Sequence, residues 1–213
     1  MDWLNLIAGF LLGIFASVIA ALCWDSITRP RLSVTVDPNP ARGPGYRWYN
    51  VKFVNSGNKP FGPDPRPAWG CRATLSVLSS DGSQVIIPPV PARWTSTPEP
   101  LTRFSVSDGV VQFVDPEKIE AGKRIDIYSH EEQMMPIVLK REGCEECHLF
   151  INESYYHPLS ANPEWQLSRG KHRLRISVHY ERGHDLFDFC VYNFGTGMDD
   201  VIVAPLSLES RNL

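Results

Sequence analysis

From Trp3 to Trp24 the chain runs 22 residues without a charged side chain, and Asn5 is its only strongly polar residue. As a helix rising about 1.5 Å per residue, this run is about 33 Å long, against roughly 30 Å for a hydrocarbon core. No other feature narrows the possible folds as much, because a lone segment satisfies its backbone in lipid only as a helix. Tryptophans bracket the run, and indole favours the headgroup level because it joins an apolar ring to an N–H donor. A cleaved signal peptide would show positive charge, then a shorter apolar core, then a small-residue cleavage site. Met1-Asp2 has no Lys or Arg, the run is too long, and no such site follows. A lipoprotein reading of Cys23 fails because bulky Leu22 precedes it. The expectation is a retained transmembrane helix over about residues 3–24, within a segment 1–27, and a linker at 28–31 where Pro30 stops the helix.

Arg29, Arg31, Arg42 and Arg47 follow this helix, and no Lys or Arg precedes it. The positive-inside rule then puts the C-terminal part in the cytoplasm of a single-pass membrane protein. Gly9, Gly13, Ser17 and Ala21 recur every fourth residue. Small residues at that spacing make a groove on one helix face, where a second backbone can approach closely in lipid. This predicts helix self-association and a homo-oligomer.

Beyond residue 31 the hydrophobic period changes from helical to two. Leu32, Val34 and Val36 alternate with polar neighbours, as do Tyr49, Val51 and Phe53, and Ala73, Leu75 and Val77. Ile125 and Ile127, Leu149 and Ile151, and the run His172–Tyr180 repeat the pattern. Alternation marks half-buried strands. Turn residues separate them at Asn55-Ser56-Gly57-Asn58, Ser80-Asp81-Gly82, Glu120–Lys123 and Arg182–Asp185. About eight short strands without alternating helices point to an all-β antiparallel domain over residues 32–213.

The segment Val51-Lys52-Phe53-Val54-Asn55-Ser56-Gly57 resembles the strand-and-turn of immunoglobulin-like domains of the fibronectin III or bacterial adhesion type. Gly170–Val178 is similar to their late strand, and Phe187–Val191 to the strand after it. The resemblance implies an immunoglobulin-like β-sandwich. It covers about 180 residues, where one such domain has roughly 100, so it also implies long insertions. The antibody Cys–Trp–Cys spacing is absent, and likeness at the level of architecture carries no function.

Twelve of the 18 prolines lie between residues 38 and 100. Pro60, Pro63, Pro65 and Pro67 lead into Trp69, and Pro88, Pro89, Pro91, Pro98 and Pro100 surround Trp94. Proline lacks an N–H, so these stretches cannot be central strands and are expected as ordered loops held by their tryptophans. They are read as a plug over one end of the domain, with a partner-binding rim at Trp69 and Trp94 as the functional alternative.

Cys144-Glu145-Glu146-Cys147-His148 matches the C-x-x-C-H pattern of c-type haem attachment. Haem would need an exported domain, against the charge bias. Zinc at Cys144, Cys147 and His148 would need a further ligand. The leading expectation is a reduced pair in an acidic turn and no cofactor, with Cys71 and Cys190 as buried hydrophobes. No nucleophile elbow, phosphate loop or zinc-protease motif occurs, so no enzyme is expected. A net charge of -3 argues against a nucleic-acid polymer as partner.

Lys171, Arg173, Arg175 and His179 share one parity of their strand and make a basic stripe. The stripe is read as a solvated face with cross-strand pairing, and alternatively as an anion site. The sequence thus supports a membrane-anchored binding or scaffold module engaging a protein partner. The alternative is a membrane effector whose domain binds a small anionic ligand and reorganises an oligomer of helices.

Overall fold

The computed structural model describes residues 3–56, 63–106, 109–156 and 163–206. Gly57, Asn58 and Pro60, expected in a turn and a proline loop, lie outside these residues, as do 207–213 of the expected β-domain. Helix α1 spans Trp3–Thr28, four residues beyond Trp24, so the connection to the first strand shortens to Arg29–Arg31. Pro30 ends the helix, because the residue before proline is pushed out of the α region. The stretch Ile7–Thr28 has a mean hydropathy of 2.3 and is long and apolar enough to cross a membrane. Residues Ile7 to Ile27 are all exposed, and Thr28 is buried.

The rest is mostly antiparallel β-sheet. Strands β1 (Leu32–Val36), β2 (Ala41–Gly43), β3 (Tyr46–Asn55) and β4 (Ala68–Leu78) come first. They are followed by β5 (Val85–Pro91), β6 (Leu101–Val106) and β7 (Gly109–Val114). A short helix α2 (Pro116–Ala121) precedes β8 (Ile125–Ile127), β9 (Glu132–Arg141), β10 (Cys147–Leu149) and β11 (Gln166–Leu167). The chain ends in β12 (Gly170–Tyr180), β13 (Gly183–Asn193) and β14 (Val201–Pro205). One sheet has the order β1-β3-β9-β10-β11 with β2 beside β3, and a second has β14-β13-β12-β4-β5 with β8 beside β4. Strands β6 and β7 form a separate hairpin. The described residues therefore hold fourteen strands, more than the eight that alternation reveals.

Inward residues of both sheets form one buried cluster. Val51, Phe53, Met135 and Ile137 come from the first sheet, and Leu75, Val77, Leu174, Ile176, Phe189 and Val191 from the second. Phe53 joins them most directly, edge-on to Phe187 at 5.6 Å and to Trp94 at 5.2 Å. Such contacts add about 0.5–1.5 kcal/mol to the burial of the rings themselves.

Two local features correct the sequence reading. Pro88, Pro89 and Pro91 belong to a strand, β5, rather than a loop. β5 is the last strand of its sheet, and an edge is where a missing N–H costs no ladder bond. Trp69 likewise sits on a strand, β4, next to a bulge. The register between β4 and β8 shifts between Ala68 and Cys71, with Gly70 at a φ of 64°. That extra residue lets Ala68 and Cys71, three apart, both face the core, and it leaves Trp69 outside.

Candidate functional site

A cavity of 950 Å³ lies on the outer face of the first sheet. Along β3, Tyr49, Val51 and Phe53 point into the core, while the opposite parity carries Tyr46, Trp48 and Asn50 into this groove. The segment from Arg93 to Leu101, Gln112 of β7 and the turn from Phe150 to Tyr156 form its other walls. Six aromatic rings line it: Tyr46, Trp48, Trp94, Phe150, Tyr155 and Tyr156. Phe150 and Tyr155 meet edge-on at 5.7 Å.

Two charges at this groove, Arg93 and Arg141, are held against rings. The Arg93 side chain is buried, its guanidinium 5.2 Å from the centre of the Tyr155 ring. Its Nη1 donates to Asn152 Oδ1 at 2.8 Å and its Nη2 to the Pro98 carbonyl. Burial pulls the Arg93 pKa below the ordinary arginine value, and the Tyr155 contact opposes that shift. Arg141 lies over Tyr46 at 5.9 Å. A guanidinium over an aromatic face is attracted by the ring quadrupole and holds the ring in place. Trp94 is fully buried between the groove and Phe53, and its indole N–H has no acceptor among the described residues. A buried donor left unmade costs about 1–3 kcal/mol.

The basic side chains lie on one face of β12, and its two arginines pair with a carboxylate of the neighbouring strand. Asp188 of β13 sits opposite Arg175. It accepts from Arg175 Nε at 2.8 Å, Arg175 Nη2 at 3.1 Å and Arg173 Nη2 at 2.6 Å. Burial raises the Asp188 pKa, yet these hydrogen bonds and charges outweigh it and hold the carboxyl below its ordinary value. Lys171 Nζ lies 5.7 Å from the Tyr192 ring centre. His179 stacks on His184 at 4.3 Å, and ring nitrogens of both lie near Ser177 Oγ, at 3.1 and 3.0 Å.

Cys147 and His148, adjacent on β10, project to opposite faces of the strand. The Cys147 thiol is inside the core, and burial pushes its pKa up to about 12. A thiol held so far from ionisation is a poor metal ligand or nucleophile at neutral pH. His148 is buried too, and burial lowers its pKa. Cys144 is half-buried, and its sulfur is not bonded to another cysteine. Among the described residues no three His, Cys, Asp or Glu side chains converge as a metal site.

No protein-family profile, curated protein or solved structure matches the chain. The geometry of the site therefore carries the functional argument alone.

A second constellation joins the helix to the β-domain. Asp25, in the last turn of α1, accepts from Arg66 Nη1 at 2.7 Å and from Arg182 Nη1 at 3.0 Å. The Arg66 N–H donates to the Thr28 carbonyl at 2.8 Å, and Arg29 Nη2 donates to the Arg182 carbonyl at 2.8 Å. Beneath them Asn55 is fully buried. Its Oδ1 accepts the Arg31 N–H at 3.2 Å, and its Nδ2 donates to the carbonyls of Arg66 at 2.8 Å and Ile127 at 3.3 Å. Trp69 stands at this junction, 41% exposed and edge-on to the exposed Tyr128 at 5.6 Å.

The two tryptophans expected at a binding rim thus part company. Trp94 enters the groove from the core, and Trp69 faces outward beside the helix. Tyr46 and Trp48 were not singled out in the sequence, although extending the alternation of Tyr49, Val51 and Phe53 backward puts both on the opposite face of β3. Nothing local marks Arg93, Tyr155 or Tyr156, which reach the groove from segments more than 50 residues apart.

Proposed function

We propose that this chain is a single-pass membrane-anchored binding module. In this reading α1 spans the bilayer, and the two sheets form an immunoglobulin-like sandwich on the cytoplasmic side. The outer-face groove takes an extended segment of a protein partner. The observation that carries the reading is the groove itself, a cavity of 950 Å³ lined by six aromatic rings. Aromatic-lined grooves suit extended chains, because rings offer contact area at low entropic cost. A membrane anchor adds to such binding by holding the module at a fixed surface.

A photo-crosslinking side chain at the exposed Tyr156 is expected to capture one discrete partner in intact cells. The same group at the exposed Ile202, on the other sheet, is expected to capture none. Trp48→Ala in the same background should reduce the adduct about tenfold, the loss of roughly 1.4 kcal/mol for an aromatic anchor. Equal labelling from Tyr156 and Ile202 would count against the groove.

The small-residue face supports a further part of the reading, self-association of the helix. A Cβ added at Gly9 or Gly13 meets nothing within 4 Å in the single chain, so this face is open to a second helix. Ser17 Oγ donates back to the Gly13 carbonyl at 2.8 Å, which keeps its polarity inside its own helix. Gly13→Leu is expected to shift the cross-linked species in native membranes toward monomer, with unchanged thermal stability of the β-domain. An unaltered ladder of cross-linked bands removes the helix contact from the proposal.

A further inference from the structure

We infer that the junction between α1 and the β-domain binds the phosphate of a membrane phospholipid, and so clamps the domain against the headgroup layer. The inference rests on the reading of α1 as a membrane-spanning helix and adds a ligand to it.

Depth is set by the helix. Its uncharged run ends at Trp24, and one further turn, about 5.4 Å, carries the chain to Thr28. The headgroup layer on each side of the hydrocarbon core is roughly 5–8 Å deep. Asp25 and Arg29 therefore lie within it, and so does whatever touches them. The groups that touch them are Arg66 and Arg182, at the distances given above.

Chemistry is set by the charges. A cavity of 120 Å³ is lined by the arginines Arg29, Arg66 and Arg182 and by the carboxylates Asp25 and Glu181. Three positive charges against two negative ones leave a net charge of +1. Each guanidinium carries five N–H donors, and Asp25 takes one from Arg66 and one from Arg182. Several donors thus remain to face an anion, and the planar guanidinium fork matches a phosphate. The volume suits a single phosphodiester and is too small for a peptide segment. Trp69 lines the same cavity, and its Tyr128 partner is exposed beside it. An exposed Trp–Tyr pair at headgroup depth is the combination that anchors proteins at that level.

The site is also preformed. The Glu181 N–H donates to the Trp69 carbonyl at 3.0 Å, and the Arg66 N–H to the Thr28 carbonyl, so its walls are tied by backbone hydrogen bonds. Binding would require little reordering, which preserves affinity.

The test uses the full chain in nanodiscs of mixed phosphatidylcholine and phosphatidylglycerol. Native mass spectrometry after release should find a retained phospholipid on the wild type. Arg29→Gln combined with Arg182→Gln should reduce retention about tenfold. Arg42→Gln, at the far end of the domain where Arg42 meets Asp199, should not. Independently, lipids brominated near the headgroup should quench a tryptophan component that disappears in Trp69→Phe, a substitution that leaves every arginine in place. If carbonate extracts the wild-type chain from membranes, the spanning reading fails and this inference with it. If the chain resists carbonate but retention and quenching match between wild type and variants, the inference alone is overturned. If millimolar inorganic phosphate displaces the retained lipid completely, the site is a phosphate site without a lipid requirement, and the inference is likewise overturned.

Discussion

Lys140→Met is expected to destabilise the β-domain by about 4 kcal/mol, the largest effect of any single substitution considered, because several buried acceptors lose one shared donor. Lys140 lies near the end of β9 and is fully buried. Its Nζ donates to the carbonyls of Glu145 at 2.9 Å, Glu146 at 3.4 Å and Gly195 at 2.5 Å, and to Asn193 Oδ1 at 2.9 Å. One ammonium thus ties the β9–β10 turn to the loop after β13. Methionine fills nearly the same volume, so the loss is polar rather than a cavity. For a domain of 150–250 residues, about 4 kcal/mol corresponds to a fall in Tm of roughly 8–16 °C. Circular dichroism of the full chain in detergent measures it, and a fall smaller than about 3 °C would contradict the role assigned to Lys140.

A pH signature accompanies this loss. Burial pulls the Lys140 pKa below the ordinary lysine value, and neighbouring Cys147, Asp200, Cys144 and Glu146 oppose it. The folded protein therefore releases this proton at a lower pH than the unfolded chain. Stability rises with pH wherever the unfolded state holds more protons, here between the lowered folded value and the ordinary 10.5. The wild type should gain on Lys140→Met through that window, and the difference between them should be flat below it.

Lys140 also shows why part of this molecule was hidden from its sequence. The segment Glu132–Arg141 reads as one apolar block ending in two charges, and nothing in it says that the first charge points inward. Alternation fails in β9 because both of its faces are covered: Met135 and Ile137 enter the core while Pro136 lines the groove. Where one face meets water, as in β1 and β12, the period of two stood out and the strands were legible. β5 was concealed for another reason, since its prolines read as loop until the strand is known to be an edge. Helix α1 was legible from its apolar run, which stops four residues short of its end at Thr28. Its attachment was not, because Asp25 meets Arg66 and Arg182 across 41 and 157 residues of chain. The basic stripe was placed correctly on one face, yet its counter-ion Asp188 is a cross-strand partner that register, not composition, selects. The groove follows the same rule: Tyr46 and Trp48 lie on a recognisable strand, while Arg93 and Tyr155 arrive by tertiary packing.

Asn55→Ala is the second large effect, about 3 kcal/mol, and it tests whether helix and domain move as one body. The Asn55 amide is the only side chain described that bonds the helix-to-domain connection, the proline segment and β8 together, through Arg31, Arg66 and Ile127. Alanine leaves one N–H and two carbonyls without these partners, in a place that water does not reach. Aspartate keeps the acceptor for Arg31 but loses both donated bonds and buries a charge, so Asn55→Asp should be no better tolerated. A fall in Tm of about 6–12 °C is expected for either variant. The more telling readout is local. Arg31 and Arg66 both bond to this amide, and of the two only Arg31, which precedes Leu32, is a trypsin site, because Pro67 follows Arg66. In the wild type their backbones are tied to Asn55, and that of Arg66 also to Thr28. Cleavage at Arg31 should accelerate in Asn55→Ala well below the Tm, while cleavage at Arg42 in β2, beside the opposite end of β3 from Asn55, should keep its wild-type rate. Equal acceleration at both sites would mean that Asn55 serves global stability only, and that the helix is not coupled to the domain through it.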